Sequence, residues 1–118
     1  NFNYRSIALY EAHLKKVPED ARARVLLAQC FATQGRNDDA KREADMAIAL
    51  RPDDTMILYN TACVFCLMNN PADALVALRK AKETGYRDPN WVRHDPDLAI
   101  LHGDPEFERL YPAETASA

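Results

Sequence analysis

Apolar residues in the first 85 positions recur at helical spacing in five blocks, and each block ends at a proline, a glycine or a pair of asparagines. In residues 4–17, Ile7, Tyr10 and Leu14 make one apolar stripe that Pro18 closes. Residues 21–34 carry Val25, Leu26, Leu27, Ala28 and Phe31, with Glu19 and Asp20 in front and Gly35 behind. The third block, 38–50, has Ala40, Ala44, Ala47, Ile48 and Leu50 as its expected buried face. Asn37 and Asp38 stand as its cap, and Pro52 closes it. In 55–68 the apolar positions are Ile57, Leu58, Ala62, Phe65 and Leu67, with Asp53 or Asp54 as the cap. In 71–84, Ala74, Leu75, Leu78 and Ala81 point inward; Pro71 suits a first turn and Gly85 a stop. Five amphipathic helices are therefore predicted, with no strand.

Beyond Gly85 the rhythm changes. Pro89, Pro96 and Pro105 leave room only for short helical turns, near 90–94, 97–101 and 105–110. Trp91, Leu98, Leu101, Phe107 and Leu110 are their expected anchors, and Trp91, Leu98 and Phe107 are expected to form a lid over the fifth helix. Residues 112–118 are small and polar and are expected to fray.

The blocks repeat one another. Pro18 and Pro52 stand 34 positions apart. The same step joins Ser6, Ala40 and Ala74; Tyr10, Ala44 and Leu78; and His13, Ala47 and Ala81. Small residues return where two helices must approach closely. A period of this length marks a stacked repeat, whose usual task is to present a surface.

Composition narrows the possible tasks. The chain has 118 residues, 47% of them hydrophobic, with three glycines, which suits one helical domain with a real core. The net charge is −3, with 15 basic residues scattered among 18 acids. No basic stripe favours a phosphate backbone, and no polybasic patch favours a membrane surface, so neither nucleic acid nor membrane is an expected partner. No apolar run approaches the ~18–20 residues that span a bilayer. Three cysteines without framework spacing suit a reducing, cytoplasmic setting. The first residues, Asn1, Phe2 and Asn3, look neither like a signal peptide nor like a start, and the chain reads as the later part of a longer protein.

The residues at these spacings resemble the tetratricopeptide repeat family. Leu27, Ala28, Phe31, Gly35, Ala40, Ala44, Ala47 and Pro52 fall where that family places its large, small and turn residues. Leu58, Ala62, Phe65, Ala74, Leu78 and Ala81 match in the next copy, while Thr61, Asn69 and Tyr86 depart from the usual Leu, Gly and Pro. The resemblance implies an all-α solenoid: a right-handed superhelix of antiparallel helix pairs closed by a short helical C-terminal cap. It divides one domain into the second helix of a truncated repeat (3–20), two repeats (21–54 and 55–88), a cap (89–111) and a frayed tail (112–118). The Asp–Pro steps at 88, 95 and 104 resemble the caps that end such arrays in bacterial signalling proteins, including serine/threonine kinases and nucleotide cyclases.

The resemblance further implies a protein-interaction module, scaffolding or regulatory, with a concave face that binds a partner peptide or helix. Arg22, Val25, Gln29, Ala32 and Thr33 should line that face in one copy; Met56, Tyr59, Asn60, Cys63 and Cys66 should do so in the next. Arg22, Val25, Gln29, Tyr59, Asn60 and Cys63 are the favoured binding residues. Family members that grip a C-terminal carboxylate use Lys and Asn there. Here Val25 and Gln29 occupy those places and only Asn60 fits, so that mode is disfavoured. The alternative is self-association as a homo-oligomer, or docking within a parent chain, through Ile7, Leu9 and Leu14 if no upstream helix covers them.

Catalytic and cofactor chemistry have weak footing. Cys63 and Cys66 match C-x-x-C, but mid-helix, away from the helix N-terminus that would acidify a thiol. His13, His94 and His102 have no ligand-like spacing for zinc. His94 and His102 lie among Asp95, Asp97 and Asp104, yet the Asp–Pro steps are explained by Asp capping and Pro starting short turns. No nucleophile, base and orienting group converge. A non-enzyme without cofactor or metal is the expectation, and Arg79, Lys80 and Lys82 read as a solvated face.

Overall fold

A computed structural model describes residues 4–86 and 88–113. The expected fraying of 112–118 falls mostly on residues outside that set. Five long helices run in order: α1 (Tyr4–Lys16), α2 (Ala21–Thr33), α3 (Asn37–Leu50), α4 (Thr55–Leu67) and α5 (Pro71–Thr84). Three short turns follow: α6 (Pro89–His94), a 3₁₀ helix (Pro96–Leu101) and α7 (Pro105–Leu110). No strand forms among the described residues.

The 34-residue step governs local geometry. Both α2 and α4 begin behind an aspartate whose carboxylate accepts from the first turn, Asp20 from the Ala23 amide and Asp54 from the Met56 and Ile57 amides. The turn after α2 reverses at Gly35 (φ 78°), and the turn after α4 at Asn69 (φ 57°). In each, an amide reaches back to a phenylalanine carbonyl, Arg36 N to Phe31 O at 2.8 Å and Asn70 N to Phe65 O at 2.9 Å. Asparagine is among the few residues that tolerate this left-handed backbone, so Asn69 replaces the family's glycine without breaking the turn. The third helix differs from expectation. Asn37 is already its first residue, Arg36 is the cap, and no side chain caps it.

Small residues set how closely the helices pack. Ala28, Ala40, Ala44, Ala47, Ala62, Ala74 and Ala81 are fully buried, and Phe31, Phe65, Leu58 and Leu78 fill the space between them. Adjacent helices pair, α2 with α3 and α4 with α5, and α2 also packs on α4. The result is elongated, 52 × 26 × 21 Å, with a radius of gyration of 14.8 Å. A compact chain of this length would have about 13.5 Å, and with α2 packed on α4 the second pair stacks on the first.

Several expected core positions are corrected. Leu50 and Leu67 stand exposed on the last turns of α3 and α4, Leu67 on the face it shares with Asn60 and Cys63. Ile7 and Leu14 are buried against the rest of the core without any upstream helix; Leu9, on the opposite side of α1, is 65% exposed.

The tail is fastened through most of the expected anchors, with one exchange and one addition. Leu98, Leu101 and Phe107 are buried, but Trp91 is 48% exposed and Val92 takes the inward place. One residue of helical rotation carries the indole out of the core. Tyr111 is also buried and donates its hydroxyl to the Tyr86 carbonyl at 3.1 Å. The cations of α5 are not merely solvated. Arg79 pairs with Glu106, and Lys82 donates to the Leu110 carbonyl at 2.5 Å. Arg93 of α6 ties to Glu108 at 2.8 Å and to the Tyr111 carbonyl at 2.9 Å.

Candidate functional site

Helical spacing brings one set of side chains to a common groove. On α2 these are Val25, Leu26 and Gln29; on α4 they are Met56, Tyr59, Asn60, Cys63, Val64 and Leu67. Both sets advance by three or four residues, so each lies along one helix face. The tail supplies the opposite wall through Tyr86, Trp91, Asp95, Pro96 and Asp97. The enclosed space is about 480 Å³, within the size range of ligand clefts.

Of the six favoured binding residues, Val25, Gln29, Tyr59, Asn60 and Cys63 border this groove, and Arg22 does not. Arg22 lies past its end, near Asp20, Arg51 and Asp54. Val25 is buried and offers only an edge. Tyr59 is 3% exposed and forms part of the floor, because its hydroxyl donates to Asp95 Oδ2 at 2.5 Å. Its ring stacks on Tyr86 with centroids 4.5 Å apart. Ala32 and Cys66, expected on the same face, are buried in the core. Gln29 is half-buried, and Asn60 and Met56 are exposed.

Asp95 organises the tail side. Its carboxylate is buried, accepts the Tyr59 hydroxyl, and caps the 3₁₀ helix through the Asp97 amide at 2.9 Å. Cys63 Sγ lies 3.9 Å from the same carboxylate. Burial, and then this hydrogen bond, push the Tyr59 phenol well above its ordinary range. Burial likewise raises Cys63, with Asp95 and Asp97 adding to it, and pushes Cys66 up to about 12. Neither thiol is a ready thiolate, so this C-x-x-C pair lacks the acidified sulfur that redox exchange requires. The three cysteines are unpaired. Among the described residues no group of His, Cys, Asp or Glu is arranged to hold a metal ion, and no helix is long and apolar enough to cross a membrane.

Trp91, Asp95, Pro96 and Asp97 lie beyond the last repeat, so periodicity gives no signal for them, and Tyr86 stands where the earlier copy has Pro52. Leu26, Val64 and Leu67 do carry a signal, but an ambiguous one. They share the helix face of Gln29, Asn60 and Cys63, yet an apolar residue on a helix is first taken as core.

Comparison with known proteins places the chain. The tetratricopeptide repeat model matches residues 5–63. A chloroplastic protein from Arabidopsis thaliana is 29% identical over 83 residues, covering 68% of this chain and 25% of that protein. The chain thus spans about a quarter of that relative's length. No solved structure matches.

Proposed function

The chain belongs to the tetratricopeptide repeat family, whose repeats mediate protein–protein interaction, and from that premise we propose that the groove between α2, α4 and the tail receives a protein partner. The partner enters as an extended segment or a helix along Asn60, Gln29 and Cys63, and the hairpins wind in the family's right-handed sense. The role is scaffolding or regulatory, within a larger signalling assembly in a reducing, cytoplasmic compartment.

One observation carries this reading. Met56, Leu67 and Trp91 are large, apolar and exposed, and all three border the same groove. Gathered apolar exposure of this kind marks interaction sites, whereas scattered exposure does not. The test is selection from a displayed peptide library, followed by titration of the chosen peptides. Met56→Glu and Asn60→Arg alter exposed groove residues and should weaken binding at least about tenfold while leaving the helical spectrum intact. Peptides that bind both variants as well as the parent chain would place recognition elsewhere.

A second reading is self-association through α1, favoured by Leu9, which sits beside Tyr10 and His13 on a shallow surface that continues to Leu26. Light scattering across a concentration series separates the two. A dimer abolished by Leu9→Glu supports self-association, and a monomer throughout supports a hetero-partner.

A further inference from the structure

We propose that the groove selects a basic partner segment: one Lys or Arg flanked by apolar side chains, its cation seated between Asp97 and Trp91 at the tail end. This rests on the groove being the docking site and adds what chemistry it prefers. Among the described residues the charged groups that border the groove are Asp95 and Asp97, both acids. Asp95 is spent internally on the Tyr59 hydroxyl and the Asp97 amide. Asp97 is exposed, and its carboxylate has no ion-pair partner among the described residues. The remainder of the lining is apolar or neutral, with Met56 and Leu67 along α4 and the half-exposed indole of Trp91 on the tail wall that also carries Asp97.

Charge and shape complementarity therefore point one way. A cation at the rim gains a carboxylate and nearby aromatic surface together. An anion there meets two like charges in a partly dry site. Partial burial of its carboxyl and the neighbouring Asp95 raise Asp97 above its ordinary range, and a cation beside it would act in the opposite direction. The flanking apolar residues of the partner then cover Met56 and Leu67. This is the reverse of a groove that grips a terminal carboxylate, which needs cations where this one has acids.

Three pools of end-blocked nonapeptides test it, with apolar residues randomised at the flanking positions and the central residue fixed as Lys, Gln or Glu. Affinities are measured on the whole chain and on Asp97→Asn. The expected result is about tenfold tighter binding of the Lys pool than the Gln pool, weakest binding of the Glu pool, and a Lys preference that shrinks with added salt. In Asp97→Asn the Lys and Gln pools should converge. Equal affinities for all pools, or a Lys preference that survives Asp97→Asn, would overturn the basic-segment assignment. The groove itself still stands in that case if Met56→Glu abolishes binding of every pool. Absence of binding by any pool removes both.

Discussion

Two residue pairs show how single groups hold the stack. Arg24 lies buried on α2 and reaches Glu43 on α3 at 2.7 Å, while its Nε donates to the Pro18 carbonyl at 2.9 Å. A buried charge whose partner is removed has nowhere to go, so Glu43→Leu alone should cost about 3–5 kcal/mol in chemical denaturation. The double change Arg24→Met with Glu43→Leu should cost clearly less than either single change, because no orphaned charge remains. The second pair is His13 and Asp20, 2.8 Å apart. The His13 hydrogen bond and the Ala23 amide hold the Asp20 carboxyl below its ordinary value of 3.8. A depressed acid stabilises the fold above its unfolded pKa and loses that contribution as pH falls through the folded one. Asp20→Asn keeps a competent cap but should flatten the acid limb of the stability profile between 3.8 and the lower folded value, as read by thermal melts from neutral to acid pH. An unchanged limb would show that Asp20 titrates alike in both states.

At the scale of elements, the hairpins were legible in the sequence and the tail was legible only in part. Ala28, Ala40 and Phe31 with their copies at Ala62, Ala74 and Phe65 specify close pairing wherever they occur, so periodicity locates the five helices to within a residue or two. Nothing comparable fixes a six-residue turn. The three Asp–Pro steps announce where α6, the 3₁₀ helix and α7 begin, and Asp88, Asp95 and Asp104 do cap them. Which side each turn shows to the core depends on long-range packing, and this is why Trp91 and Val92 exchange their expected places. The tail's attachment follows the same rule. Phe107 is fully buried, and Phe107→Ala should cost about 3–5 kcal/mol. Arg79→Ala removes an exposed ion pair and should cost no more than about 1 kcal/mol. Denaturation curves of the two variants check the contrast. A larger loss from Arg79→Ala would mean that the tail is clipped on by charge more than by packing.

For the whole molecule, the stacked pairs predict an elongated outline for each chain. Small-angle scattering should return a radius of gyration above that of a compact chain of equal length, and a peptide seated in the groove should raise the melting temperature with its concentration. The Tyr59–Asp95 bond has a consequence for modular exchange, because the tail finds its polar partners on only one of the two units. Three of the helix residues that bond to it, Tyr59, Arg79 and Lys82, stand 34 positions after Val25, Asp45 and Ile48. A chimaera with its two repeats transposed would bring the tail against a valine that cannot donate, an aspartate facing Glu106, and an isoleucine in place of the lysine. The repeats share a backbone plan, yet only the second carries the polar partners of the tail, so the transposed chimaera should unfold at a lower denaturant concentration than the parent chain.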